Sequence, residues 1–181
     1  MFNFNNESHE YILVLDTEFD QQELIQFAGI LLRRVSDGSY VIYRSLNVYI
    51  QKPVTAIFTR YTQITSSFLE QYGVTLEDAK WQINDCLLKD VNGDVLLVSH
   101  GLHSDLSVLE RNGIILRHAA EFCTFEKAKH ILGRLTRLSL DDLARDASIY
   151  PAIEHNAYLD AWLTVGVYSY LKDLEGKDGI C

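Results

Sequence analysis

The stretch Tyr11-Ile12-Leu13-Val14-Leu15-Asp16-Thr17-Glu18 decides how the rest of the chain is organised. Its apolar run is too short for a helix and is typical of a strand that is buried on both faces of a sheet. Because side chains alternate along a strand, Asp16 and Glu18 lie on the same side, roughly 6 to 7 Å apart. Two carboxylates at the end of a buried strand repel each other and lose solvation, so they need a cation or a shared proton. The pattern favours a metal site over the alternative, a solvated junction between a strand and a loop.

The composition predicts a single folded domain without a membrane segment. The 181 residues, of which 48% are hydrophobic, are enough to build a sizeable core. We predict a flexible leader at residues 1–9, the domain at residues 10–174 and a flexible polar tail at residues 175–181. No apolar stretch approaches the ~20 residues that a membrane span requires, and the polar start of the chain does not resemble a signal peptide.

Cysteine usage and charge limit the possible compartment and the possible partners of the protein. The three cysteines have no metal-site spacing, so we predict reduced thiols and a cytoplasmic protein. A net charge of −9 argues against a protein that coats nucleic acid by bulk electrostatics, but it does not exclude a nuclease whose acids bind cations. One local exception, here called the basic run, is either a solvated face or a phosphate-binding edge. The basic run consists of Lys127, Lys129, His130, Arg134 and Arg137.

The order of apolar segments and turns predicts a mixed α/β fold. Residues 24–34 and 40–50 are prone to form strands, and Ser36-Asp37-Gly38-Ser39 between them is a turn signal, so the first three strands should form an antiparallel meander. Further strands are predicted at residues 94–100 and 120–124. Helices are predicted at residues 57–72, 75–88, 102–111, 125–132, 140–146 and 156–172. A meander followed by alternating helices and strands indicates a sheet with helices on both faces.

One predicted helix carries an acid on its apolar face. Leu102, Asp105, Leu106 and Leu109 share one side at helical spacing, so Asp105 points inward with three leucines. An unpaired carboxylate in such a position is costly. The alternative is that Ser104 or Asp105 caps a helix that begins later.

The last predicted helix repeats this pattern. Asp160 lies on a stripe with Ala157, Thr164 and Val167, whose small side chains let the helix approach a sheet closely. His155 comes five residues earlier and is presented from the entry of the helix. A lone acid near a helix start often only stabilises the helix dipole. The combination with His155 and three other acids favours a functional site.

Taken together, these segments resemble the three motifs of the DEDDh exonucleases, the DnaQ-like branch of the ribonuclease-H-like fold. The resemblance extends over roughly residues 10–172 and implies a mixed five-stranded sheet, with strands 1–3 antiparallel, the following strands parallel, and helices on both faces. The last motif is the most specific of the three. The matching segments are Asp16-Thr17-Glu18, Asp105 after Ser99-His100-Gly101, and His155-Asn156-Ala157-Tyr158-Leu159-Asp160-Ala161.

The resemblance implies roles for five residues. Asp16, Glu18, Asp105 and Asp160 would hold two divalent cations, Mg²⁺ or Mn²⁺, with Asp16 bridging them, and His155 would be the general base. These cations prefer hard oxygen ligands, and a pair of them stabilises the attacking and leaving oxygens of an in-line displacement. A histidine titrates near neutrality and can therefore accept the proton of the attacking water.

The implied activity is that of a 3′→5′ exonuclease acting on single-stranded DNA or RNA 3′ ends, which releases nucleoside 5′-monophosphates. A polymerase or a second copy of the chain would be a protein partner, and no membrane is involved. Two alternatives stay open. One is a non-catalytic nucleic-acid-binding or polymerase-associated module on the same fold, and the other is a phosphoesterase for small molecules.

Two departures from the family pattern bear on how the terminal nucleoside is held. Gly101 and Ser104 stand where the family often has an asparagine and an aromatic residue, and Phe19 and Asp20 replace small residues. The acids themselves are unaffected. Phe19 could stack on a base or pack within the protein. The predicted substrate-binding residues are Thr17, Phe19, Tyr61, His100, Arg134 and Arg137.

Overall fold

A computed structural model describes residues 1–150 and 156–178, with only the backbone for residues 177 and 178. Within those residues, five strands form one sheet in the order β3-β2-β1-β4-β5. β1 pairs antiparallel with β2, β2 pairs antiparallel with β3, and β4 and β5 continue the sheet in parallel. The predicted mixed sheet is therefore confirmed. The strands are β1 (Tyr11–Asp20), β2 (Glu23–Arg34), β3 (Tyr40–Tyr49), β4 (Val95–Ser99) and β5 (Ala120–Cys123).

Helices cover both faces of the sheet, as predicted. On one face, α3, its π-helical continuation and α4 pack against Leu13 and Leu15 of β1. On the other face, α5, α6 and α7 pack against Ile12 and Val14, while α1 and α2 cover the end of the sheet beside Ile25. The helices are α1 (Ala56–Thr62), α2 (Ser66–Tyr72), α3 (Leu76–Trp81) with the π-helix Gln82–Leu87, α4 (Leu102–Arg111), α5 (Thr124–Leu132), α6 (Leu140–Asp146) and α7 (Ala157–Asp178).

β1 is the centre of the core. Ile12, Leu13, Val14 and Leu15 are each 0% exposed, which confirms a strand buried on both faces. Burying one such side chain contributes about 1.5–3 kcal/mol. The rigid strand therefore gives its carboxyl end, where the two acids follow, a well-defined position.

Two helices differ from the sequence prediction. The helix expected at residues 57–72 is divided, because Gln63 adopts a left-handed conformation with φ 63° at the end of α1. The Thr65 hydroxyl then accepts a hydrogen bond from the Phe68 amide and starts α2. α7 continues to Asp178, past the predicted end at residue 172, and residues 179–181 of the predicted tail lie outside the described residues.

Several of the first nine residues, which the sequence predicts to be a flexible leader, contact the rest of the chain. Phe2 forms a β-bridge with Tyr40, and the Phe4 ring is buried 5.3 Å from the Tyr40 ring and 4.9 Å from the Tyr168 ring. The Tyr168 hydroxyl donates to a Glu7 carboxylate oxygen at 2.5 Å. Hydrogen bonds from Tyr168, His9 and the Ser8 amide lower the pKa of Glu7 to about 2, against the opposing effect of burial. The N-terminal segment thus anchors the far half of α7.

Two predictions from composition concern membranes and thiols. The part of the chain that the structure describes has no helix that is both long and apolar enough to cross a bilayer. Cys86 and Cys123 are free thiols, and Cys181, the third cysteine of the prediction, lies outside the described residues.

Candidate metal centre

The end of β1 presents Asp16 and Glu18. β4 pairs with β1 only as far as Val14, so beyond that point one edge of β1 has no paired strand among the described residues. β2 continues along the other edge, with Gln26 opposite Glu18 and a register shift directly after Glu18. The two acids therefore lie on a strand that is fixed on one side and open on the other, where side chains from helices can approach.

α7 brings the third acid to this edge. Ala157 and Ala161 are fully buried against the sheet, and these small side chains allow the close approach that the sequence predicted. One carboxylate oxygen each from Asp16, Glu18 and Asp160 lies within 4.8 Å of the other two. We call these three residues the acid cluster.

Asp105 lies beside the acid cluster and is held by two hydroxyl groups. Its side chain is only 4% exposed, and its Oδ1 accepts a hydrogen bond of 2.7 Å from the Thr17 hydroxyl. The Ser99 hydroxyl donates to Oδ2. Since α4 begins after Gly101, Asp105 is inside the helix. The alternative, in which Asp105 caps a later helix, is therefore excluded.

Burial and like charges raise the pKa of the acids. The pKa of Asp16 is raised well above its ordinary value by burial, then by the charges of Asp105, Asp160 and Glu18. Burial, then Asp160 and Asp105, raises the pKa of Glu18 to about 7. Burial raises that of Asp105 to about 6, although the Ser99 and Thr17 hydrogen bonds act in the opposite direction. A group of oxygen donors that needs positive charge fits a hard divalent cation such as Mg²⁺ or Mn²⁺.

These pKa values predict how the stability of the metal-free protein depends on pH. The pKa of Glu18 is raised from 4.5 to about 7, so between these values the folded state binds more protons than the unfolded state. The stability that this proton contributes is complete below the ordinary pKa and is lost as the pH rises through about 7. We expect the free energy of unfolding in a chelator to increase by on the order of 1–3 kcal/mol when the pH falls from about 8 to about 5.

The control for this prediction removes the raised acid and leaves the rest of the site. Burial lowers the pKa of His100, and this acts in the opposite direction as the pH falls. Glu18→Gln keeps His100, so the difference between the two proteins in urea unfolding reports the contribution of Glu18 together with the effect of its charge on Asp16. Parallel pH profiles for the two proteins would contradict the prediction.

Comparisons with solved structures bear on the fold as a whole. The nuclease domain of 3′hExo, a DEDDh family member bound to rAMP, is 13% identical; the match covers 96% of this chain and 94% of that one, with a TM-score of 0.68. A zinc-bound complex of E. coli ExoI with single-stranded DNA matches 96% of this chain and 42% of that chain at 13% identity and TM-score 0.71. The fold is that of the DEDDh exonucleases.

A third similar structure describes 3′-end recognition of a histone mRNA stem-loop by a 3′-exonuclease. It is 15% identical, with 98% of this chain and 67% of that chain covered and a TM-score of 0.69. No protein-family profile and no curated protein sequence matches the chain. Beyond the short motifs, the likeness to these exonucleases therefore lies in the three-dimensional fold.

On this DEDDh fold, His155 lies outside the described residues, so its predicted role as the general base stays a prediction. The next residue that the structure describes is Asn156, which directly precedes α7. Three of the four predicted metal ligands form the acid cluster. The fourth, Asp105, is close enough to raise the pKa of Asp16 and Glu18.

The predicted substrate-binding residues have different surroundings. Thr17 points away from solvent and donates to Asp105. His100 is half-buried, with its Nδ1 3.0 Å from the Thr124 hydroxyl. Phe19 and Tyr61 are 41% and 69% exposed, so both rings are available to a ligand. The Asp20 carboxylate accepts hydrogen bonds from the Thr55 amide and hydroxyl and so ties the end of β1 to the start of α1.

The basic run is largely paired with acids of α6 and α7. Arg134 donates to an Asp146 carboxylate oxygen and, at 2.8 Å, to the Arg137 carbonyl. Arg137 lies 3.9 Å from an Asp142 oxygen, yet its side chain is 68% exposed. Of these two arginines, Arg137 is therefore the one that is available to a phosphate.

Two residues at the site were not predicted from the sequence. Ser99 holds Asp105 from the end of β4, and Gln26 is a buried polar side chain in the middle of an apolar strand. An uncharged polar residue in such a strand indicates a buried hydrogen-bond network, because a buried amide requires partners. The identity of those partners was not readable from the sequence.

Proposed function

We propose that this chain is a metal-dependent 3′→5′ exonuclease that hydrolyses single-stranded ends of DNA or RNA to nucleoside 5′-monophosphates. The observation that carries the proposal is the acid cluster, whose three carboxylates each place one oxygen within 4.8 Å of the other two at the carboxyl end of β1. The DEDDh fold supports it, since 3′hExo binds rAMP and ExoI binds single-stranded DNA in their structures. The cytoplasm as compartment, and a polymerase or a second copy as partner, belong to the same proposal.

Each acid has a defined part in the proposed mechanism. Asp16, Glu18 and Asp160 would hold divalent cations, Mg²⁺ or Mn²⁺, and Asp105 would complete the set for two ions. When bound, such ions stabilise negative charge on the attacking and leaving oxygens of an in-line displacement. His155 would accept the proton of the attacking water. No covalent intermediate with the protein is required.

The substrate end would lie across the exposed surface beside Glu18. Phe19 borders a depression that is also lined by Gln22, Ser104 and Arg111. An aromatic ring flanked by hydrogen-bonding groups and a guanidinium suits a nucleobase followed by a phosphate, because stacking tolerates every base. This fits a substrate class of single strands without a strict sequence.

The direct test uses a short single-stranded oligonucleotide that is labelled at either its 3′ or its 5′ end. With Mn²⁺ or Mg²⁺, the 3′ label should appear first as a mononucleotide, while the 5′-labelled strand shortens stepwise. A chelator should stop both reactions. Binding without hydrolysis would indicate the non-catalytic module, and hydrolysis only of small phosphodiesters would indicate the phosphoesterase.

A further prediction concerns the exposed arginine of the basic run. The Leu138 backbone acts on the pKa of the His100 side chain, so the loop that carries Arg137 lies near the carboxyl end of β4, where Ser99 binds Asp105. If Arg137 contacts a phosphate, Arg137→Gln should weaken the binding of long single strands and reduce the slope of log K against log salt by about 0.7. Turnover of a dinucleotide should not change.

The control for the arginine is Arg34→Gln, which removes an exposed guanidinium at the end of β2 that is remote from Gln26 and Glu18. It should leave the salt slope unchanged. Equal slopes of log K against log salt for the unaltered protein and Arg137→Gln would indicate that the basic run is only a solvated face.

A further inference from the structure

Gln26 of β2 is a fully buried amide whose polar atoms are all engaged around the start of α7. It is 0% exposed. Its Nε2 donates to Asn47 Oδ1 at 2.8 Å and to Asn156 Oδ1 at 3.2 Å. Its Oε1 accepts the backbone N–H of Ala157, the first residue of α7, at 3.3 Å. An amide N–H at a helix start has no partner within the helix, so Gln26 supplies one.

Asn156 extends this network to the third strand. Its Oδ1 accepts the Tyr158 amide at 3.0 Å, and its Nδ2 donates to the Tyr49 hydroxyl at 3.1 Å. Its carbonyl accepts the Asp160 amide at 2.9 Å. The side chains of β2 and β3 therefore clamp the helix turn that carries Asp160.

We propose that Gln26 is a positioning residue which, through Asn156 and the Ala157 amide, sets where α7 begins and thereby where the Asp160 carboxylate lies relative to Asp16 and Glu18. The inference rests on the proposed metal centre and deepens it. Gln26 stands opposite Glu18 in the sheet register, so one strand pair positions two acids.

The competing explanation is that Gln26 only satisfies buried groups and contributes stability. α7 offers a comparison for this, because its far half is anchored separately by the hydrogen bond from the Tyr168 hydroxyl to Glu7. If Gln26 is purely structural, removing its hydrogen bonds should lower stability only, as removal of the Tyr168 hydrogen bond should. A positioning residue should instead change metal binding and turnover in the folded protein.

The experiment compares Gln26→Met, Tyr49→Phe and the control Tyr168→Phe with the unaltered full chain. Methionine keeps the length of the side chain and removes all three hydrogen bonds of Gln26. We expect Gln26→Met to weaken Mn²⁺ binding in calorimetry and to lower kcat, each by about 10–100-fold, as typical for loss of a group that orients a metal ligand. KM for the oligonucleotide should not change.

The second variant keeps the test open if Gln26→Met fails to fold. Tyr49→Phe removes only the bond to Asn156 and should cause a smaller loss of Mn²⁺ affinity and kcat in the same direction. Tyr168→Phe should lower the melting temperature and leave Mn²⁺ affinity and kcat unchanged.

Two results would overturn the inference, and they are distinguishable. In the first, Gln26→Met binds Mn²⁺ and turns over the substrate as the unaltered protein does, so that Gln26 is structural only and the metal centre stands. If Gln26→Met does not fold, the same result for Tyr49→Phe has the same meaning. If the unaltered protein binds no Mn²⁺, the metal centre itself fails and the inference fails with it.

Discussion

Asp16→Ala and Asp160→Ala are each expected to abolish Mn²⁺ binding and exonuclease activity while the protein stays folded. Each change removes one of three carboxylates that lie within 4.8 Å of one another, so the remaining oxygens no longer form the site. The metal-free Asp16→Ala protein should also be more stable than the unaltered one near neutral pH. The reason is that burial and three neighbouring acids raise the pKa of Asp16 and so oppose its charged form.

Calorimetric titration with Mn²⁺ and thermal unfolding in a chelator measure the two effects. Glu110→Ala is the matched control, since it removes an exposed acid from α4 outside the acid cluster. It should leave metal binding and activity unchanged. Undiminished Mn²⁺ binding in both aspartate variants would disprove the assigned site.

His155→Ala has the second largest expected effect. A general base contributes typically 10² to 10⁴-fold to the rate, and His155 is not proposed as a metal ligand. The variant should therefore lose activity of that order while Mn²⁺ binding and oligonucleotide affinity survive. The rate of the unaltered enzyme should rise with pH as an imidazolium loses its proton and then level off, and the variant should lose that inflection.

This variant separates an enzyme from a binding module most directly. His118→Ala is the control, because His118 is bonded to the Leu116 carbonyl and to Glu121. It should keep the pH profile of the unaltered protein. A histidine with only a structural role would show reduced stability and near-normal turnover per folded molecule. Full activity in purified His155→Ala would refute the proposed mechanism.

The sequence by itself determined the sheet and most of the acid site. The apolar run from Tyr11 to Leu15 predicts a buried strand, and Asp16 and Glu18 follow at its end. Both the strand and the shared side of the two acids can be predicted locally, because side-chain alternation and an apolar run are properties of one segment. The inward position of Asp105 and the stripe that carries Asp160 likewise follow from helical spacing within single elements. The structure places one carboxylate oxygen each of Asp16, Glu18 and Asp160 within 4.8 Å of the other two, and Asp105 is close enough to raise the pKa of Asp16.

Only the tertiary structure decided which groups serve the acids. The hydroxyls of Thr17 and Ser99 bind Asp105 from residues 88 and 6 positions away in the chain, and Gln26 reaches Asn156 from 130 positions away. Similarly, acids of another helix pair with the basic run. Hydrogen bonds and ion pairs of this kind depend on distances of about 3 Å between side chains on different elements. No spacing within one segment encodes such distances, so they were settled by packing alone.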